Sequence, residues 1–168
     1  AHYGVLPPAK PQPEPWDTQI PKAADKVLGR IAAELHLAEK LPRQALAAIE
    51  AFFRRDFAYS LSPADSEGSS KSIEDFLVRS RNGHCEYFAT ATVLLLRKAG
   101  IPARYAVGYA VQEYSPWQRQ YLVRERHAHA WALAFVDGAW REVDTTPSTW
   151  AAQEEQRASW WQPLLDAG

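Results

Sequence analysis

The chain has a single cysteine, Cys85, and no methionine at all. One thiol excludes an internal disulfide framework and the cysteine-rich spacing of structural zinc. Basic blocks are missing as well: 19 Lys and Arg stand against 20 Asp and Glu, a net charge of −1. That removes the electrostatic footprint of a nucleic-acid binder. Nowhere does an apolar run approach the roughly 20 residues that a membrane-crossing helix needs. No secretory leader is readable at Ala1, and the chain is expected to be a fragment of a longer protein or a processed form. The lack of a heptad pattern and the small net charge lead us to expect a monomer.

What is present is enough material for one core. Hydrophobic residues make up 46% of 168 residues, with seven Trp, which excludes a disordered chain. Five of the twelve prolines crowd into residues 7–15. Proline fixes φ and lacks an N–H, so residues 1–20 are expected to be an extended arm. The main domain is then expected to span 21–150, with 151–168 a terminal segment expected to be helical in its first 15 residues.

Periodicity orders the domain. Val27, Ile31 and Leu35 recur at helical spacing between Lys22 and Leu37. Pro42 opens a second helix with Leu46, Ile49 and Phe53 inward. Phe57–Leu61 reads as a short strand, 62–71 as a loop, and Ser72 as the N-cap of a short helix. Asn82 and Gly83 break the chain, and a helix follows whose stripe is Phe88, Ala91, Thr92, Leu95 and Ala99. Leu94 and Leu96 make its other faces apolar, so it is expected to be central and buried. Gly100 ends it and Pro102 prevents its return.

Beyond Pro102 the period changes to two. Ala103–Val111, Gln120–Arg126, His129–Val136 and Ala139–Asp144 read as four strands of a meander, with a hairpin turn at Asp137–Gly138. Helices first and strands after predict an α+β fold, the cysteine-bearing helix packed on an antiparallel sheet.

Cys85 falls at the start of its helix. Unpaired N–H groups and the helix dipole stabilise a thiolate there, which is what a nucleophile needs. A lone cysteine is also a small hydrophobe, so position alone leaves both readings open. A nucleophilic thiol wants a base and the base wants an orienter. His129 opens one strand and Asp144 closes the strand hairpinned to it, nearly opposite, so their side chains can meet on one face. A rival use of these groups is zinc, with His127, His129 and either Cys85 or His84 as ligands, but Asp144 fits a triad better.

The runs GHCEYFATATVLLLRKAGIPARYAVGY, HAHAW and WREVDTTP, in that order, resemble the transglutaminase-like superfamily of papain-type cysteine enzymes. The resemblance covers about Phe57 to Ser148. Glu86 to Ala89 most resembles the bacterial TgpA-type branch, where such a domain belongs to an inner-membrane protein and faces the periplasm. The resemblance implies a papain-like core, Cys85 as nucleophile, His129 as base, Asp144 as orienter, and no cofactor or metal. It also implies acyl transfer through a thioester, with a glutamine donor and a lysine or other amine acceptor on protein or peptide substrates. The membrane anchor would lie outside this stretch. Animal members place a Trp upstream of the cysteine, whereas here the nearest is Trp16, in the arm; Tyr59 is the substitute expected to bind the oxyanion with its hydroxyl. No calcium site of the animal kind is readable.

Around these residues, Glu86 is expected at the cleft, bonded to Arg104 or a neighbouring loop. Tyr114 and Trp117, in the turn Glu113–Gln120, would either wall the cleft or decorate an exposed hairpin tip. Trp131 and Trp140 are expected beneath the site, and Arg104 and Arg126 either bind substrate carboxylates or line a solvated face. Two alternatives share the motif set: a cysteine protease or amidase acting on peptide or cell-wall bonds, and a non-catalytic peptide-binding module.

Overall fold

A computed structural model describes residues 12–60, 72–111, 113–124 and 127–153. The fold is α+β. Helix α1 (Lys22–Glu34) buries Ala24, Val27, Leu28 and Ile31. Helix α2 (Pro42–Asp56) has Pro42 in its first turn and buries Ala45, Ile49, Phe52 and Phe53. Strand β1 (Ala58–Tyr59) is only two residues long. Helix α3 (Ile73–Asp75) continues into a π-helical turn over Phe76–Ser80, and the Ser72 hydroxyl caps it by accepting from the Asp75 N–H at 3.2 Å.

Asn82 and Gly83 do more than break the chain. They form strand β2 (Asn82–Gly83), which runs parallel to β1 and aligns Tyr59 with Gly83. Helix α4 (Cys85–Lys98) follows at once, with eight buried residues between Phe88 and Leu96. Gly100 stands at φ 76°, a conformation that glycine adopts without a Cβ penalty, and Ile101 N–H closes back on the Leu96 carbonyl.

The sheet has the order β3–β6–β7, from β3 (Ala103–Tyr109), β6 (Ala128–Val136) and β7 (Ala139–Val143), all antiparallel. Asp137 (φ 55°) and Gly138 (φ 76°) make the tight turn between the last two, as the Asp-Gly pair predicts. The expected four-strand meander is corrected here. Strand β5 (Gln120–Leu122) pairs with β4 (Glu113–Ser115), inside the segment read as a turn, and the two form a separate hairpin. Alternation identified a strand but carried no information about its partner.

Helix α4 lies across β6 and β3 with α1 and α2 behind it. Phe52, Phe53, Phe57, Phe76 and Phe88 form a continuous aromatic cluster at the centre, with tilted and edge-to-face contacts of 4.9–6.3 Å. The stretch read as an arm is anchored from Glu14 onward. Pro15–Thr18 is a 3-10 turn, Asp17 is buried, and the Arg97 guanidinium donates to the Gln19 carbonyl at 2.9 Å. Residues 1–11, the loop at 62–71, Arg126 and the terminal segment beyond 153 lie outside the described residues; 150–153 are helical.

Candidate active site

Cys85 is the first residue of α4, and β2 before it is held by β1. The parallel pairing of β1 with β2 therefore brings the buried Tyr59 to the thiol. On the facing sheet, β6 carries His129 near its start, opposite Gly108 of β3. The β6–β7 ladder ends at the pair Ala132–Val143, so Asp144 stands just past it and reaches back to His129. Nε2 of His129 lies 2.7 Å from Oδ2 of Asp144. The other carboxylate oxygen accepts from the Thr146 N–H at 3.0 Å, which fixes the rotamer. With Nε2 taken, Nδ1 is the ring nitrogen left for the thiol.

The electrostatics follow from these contacts. Burial pushes the Cys85 thiol up, but the nearby His129 and His84 imidazoles and the Ala130 backbone N–H outweigh it and lower the pKa to about 7. Burial pushes His129 down, but Asp144 and Cys85 outweigh that and raise it to about 9. Burial likewise opposes charge on Asp144, and its bonds to His129 and Thr146 hold it below the usual carboxylate range. A thiolate beside an imidazolium is thus the favoured form at neutral pH.

A cleft of about 480 Å³ opens over these groups, lined by Tyr59, His84, Glu86, Val107, Tyr109 and the Cys85–His129 pair, among others. Tyr59 and Glu86 both line this cleft. Tyr114 and Trp117 do not line it. They sit on the β4–β5 hairpin, Trp117 97% exposed at the tip and Tyr114 stacked edge-on against Tyr121. The expected Glu86–Arg104 contact is also absent. Arg104 makes a two-pronged ion pair with Asp17, at 2.9 and 2.8 Å, and its guanidinium lies 4.2 Å over the Trp140 ring. Trp131 and Trp140 are half-buried rather than deep, with Trp131 beside His129. His127 is buried, its Nδ1 accepting from the Arg124 N–H, and no trio of candidate metal ligands gathers among the described residues.

Two contributors, Trp150 and Thr92, escaped the sequence reading as site residues, and a third, His84, was read only as a metal-ligand candidate. His84 reaches the thiol from the residue before it. Trp150 stacks on the imidazole. Thr92 on α4 shares a 2.7 Å hydrogen bond with Thr145, tying the helix to the loop that carries Asp144. A buried hydroxyl on an otherwise apolar helix was the available signal for the last of these, because such a group must find a partner.

Residues 29–145 match the family model of the transglutaminase-like superfamily. A protein-glutamine gamma-glutamyltransferase of Pseudomonas aeruginosa is 35% identical over 130 residues, covering 76% of this chain and 19% of the relative. The periplasmic domain of TgpA from the same organism superposes with a TM-score of 0.70 at 33% identity, over 83% of this chain and 50% of that one. A Cytophaga hutchinsonii structure described as a candidate cysteine protease superposes with a TM-score of 0.50 at 25% identity, over 81% of this chain and 40% of that one. The chain thus spans about a fifth of the length of the curated glutamyltransferase and half of the TgpA domain.

Proposed function

Because the chain belongs to the transglutaminase-like superfamily, we propose that it transfers the γ-acyl group of protein-bound glutamine to an amine through a thioester on Cys85. The observation that carries this reading is the relay Cys85–His129–Asp144, in which the thiol is lowered to about 7 and the imidazole raised to about 9. The Cys85 thiolate attacks the carboxamide carbon. The charge that develops on oxygen needs donors. A first-turn N–H of α4 is one, since such groups have no partner within their helix, and the Tyr59 hydroxyl is the other. The His129 imidazolium protonates the departing nitrogen, ammonia leaves, and the thioester remains. Asp144 keeps the ring in the orientation and protonation state that this requires. An amine then attacks the thioester, His129 takes its proton, the C–S bond breaks and an amide forms.

The gamma-glutamyltransferase name of the Pseudomonas relative supports a glutamine donor and an amine acceptor. The likeness to a periplasmic domain supports a periplasmic address. Among the described residues no helix is long and apolar enough to cross a membrane. The likeness to a candidate cysteine protease supports a second reading, in which water replaces the amine and the same thioester is hydrolysed.

The test is incorporation of dansylcadaverine into casein by the wild-type chain and by Cys85→Ala. Incorporation that disappears in the variant supports the transferase. Release of ammonia or of new N-termini without incorporation moves the hydrolase reading ahead. An unreactive wild-type chain whose thiol also resists iodoacetamide would sink both.

A further inference from the structure

Glu86 is a carboxylate with no role in the relay. It is the second residue of α4, its side chain is 65% exposed, and it lines the same cleft as the Cys85 thiol. Among the described residues it is the only carboxylate that lines the cleft, and no lysine or arginine lines it. His84, whose imidazole is near the thiol, approaches the Glu86 carboxylate to 3.9 Å. The hydroxyl of Tyr105, on the same face of β3 as the cleft-lining Val107, feels burial first and then the charges of both Glu86 and Cys85, all of which raise its pKa. Tyr109, further along the same face of β3, lines the cleft with Glu86 and is 53% exposed, so a carboxylate and an aromatic ring share the open cleft.

The net charge around the cleft stays negative through the reaction. Before acylation the thiolate and the imidazolium cancel. Once the thioester forms, the sulfur is uncharged and His129 has given up its proton to the leaving ammonia. Two carboxylates then remain among the described residues around the site: Asp144 behind the imidazole, and Glu86, the one that lines the cleft. A carboxylate beside an aromatic face is suited to hold an alkylammonium.

We propose that Glu86 forms the subsite that selects a cationic primary amine, such as a lysine side chain, as the acyl acceptor. This rests on the transferase reading and adds to it the residue that discriminates acceptors by charge. A carboxylate-bearing acceptor is disfavoured there, and so is water relative to an ammonium held at the rim.

The experiment compares two acceptors at saturating carbobenzoxy-glutaminyl-glycine: cadaverine, a dication at neutral pH, and hydroxylamine, which is uncharged. The readout is the ratio of kcat/KM for cadaverine to that for hydroxylamine. In Glu86→Gln this ratio falls roughly three- to tenfold, the scale of one half-exposed charge contact. Glu86→Asp keeps most of the ratio and Glu86→Lys lowers it further, which separates charge from side-chain shape. The fall shrinks in high salt. An unchanged ratio in Glu86→Gln and Glu86→Lys, with both acceptors still consumed, overturns the subsite and leaves the transferase standing. Failure of the wild-type chain to use either acceptor overturns both.

Discussion

The imidazole of His129 and the indole of Trp150 lie face to face, with 4.2 Å between ring centroids and 8° between ring planes. Trp150 is 7% exposed and belongs to the main core, so the ring it covers is held by a side chain that is itself immobilised. Trp131 is a second near-parallel ring, 6.2 Å away. Stacked aromatics exclude water from the imidazole and so strengthen its hydrogen bond to Asp144 and its electrostatic coupling to Cys85.

Trp150→Ala is expected to destabilise the domain by about 3–5 kcal/mol, the usual range for deleting a large buried ring. It should also raise the pH midpoint for alkylation of Cys85, because water then competes for His129. Trp150→Phe, which keeps a ring, should recover most of the midpoint even where it leaves some stability lost. Thermal melts and iodoacetamide rates against pH separate the two effects. A midpoint unmoved in both variants would make Trp150 a packing residue alone.

The pH profile itself is a prediction. The Cys85 thiol is lowered to about 7 and His129 raised to about 9, so the thiolate–imidazolium form spans the interval between them. Alkylation should rise through about pH 7, and kcat/KM for acyl transfer should be bell-shaped, falling again near pH 9. In Asp144→Asn the leading support of His129 is gone. Its pKa drops toward the ordinary 6.5 and the thiol climbs toward 9.0, so the interval closes. Transfer at pH 7.5 should fall by on the order of 10²–10⁴. An Asp144→Asn profile that overlays the wild type would refute the orienting role.

How much of this was legible in the chain depends on the distance over which each signal acts. The helix of Cys85 and the hairpin that brings Asp144 to His129 were readable, because periodicity and a two-residue turn are local. The partner of β5 was not: strand alternation at Gln120–Leu122 is satisfied as well by β4 as by the main sheet. Trp150 lies past Thr145–Thr146–Pro147, where no period points at the site. The Asp17–Arg104 pair joins residues 87 apart, and charges carry no register. The exposed Trp117 misled because an aromatic at a turn looks the same whether it walls a cleft or meets solvent.

That ion pair makes an acid-stability prediction. Burial opposes charge on Asp17, but bonds from Arg104 and from the Glu14 N–H outweigh it and hold the carboxyl below 3.8. A carboxyl with a lowered folded-state pKa contributes stability that is fully present above its unfolded value and disappears as pH falls through the folded one. Urea midpoints should therefore drop below about pH 4 more steeply in the wild type than in Asp17→Asn. At pH 7 Asp17→Asn should cost about 1–3 kcal/mol, since Arg104 keeps its charge and loses its partner. Equal midpoints at pH 7 would mean that the N-terminal turn docks without this pair.

Gly108 is directly opposite His129 in the β3–β6 ladder and lines the cleft. A Cβ built there would stand 2.8 Å from the far edge of the Trp131 ring, closer than any ordinary contact. The atom that must yield belongs to a side chain, but that ring lies beside His129 and is half-buried, so its displacement is transmitted to the imidazole. Gly108→Ala is thus expected to cost about 1–3 kcal/mol from overpacking. Its effect on transfer should be larger than its effect on stability, because sub-ångström shifts of a base are felt in the rate. The paired variant Gly108→Ala with Trp131→Phe gives the ring room and should restore part of kcat. If Gly108→Ala keeps full activity, Trp131 moves freely and does not help to hold His129. If the single and paired variants are equally impaired, the glycine is needed for substrate approach along β3 and not for the space that it leaves to Trp131.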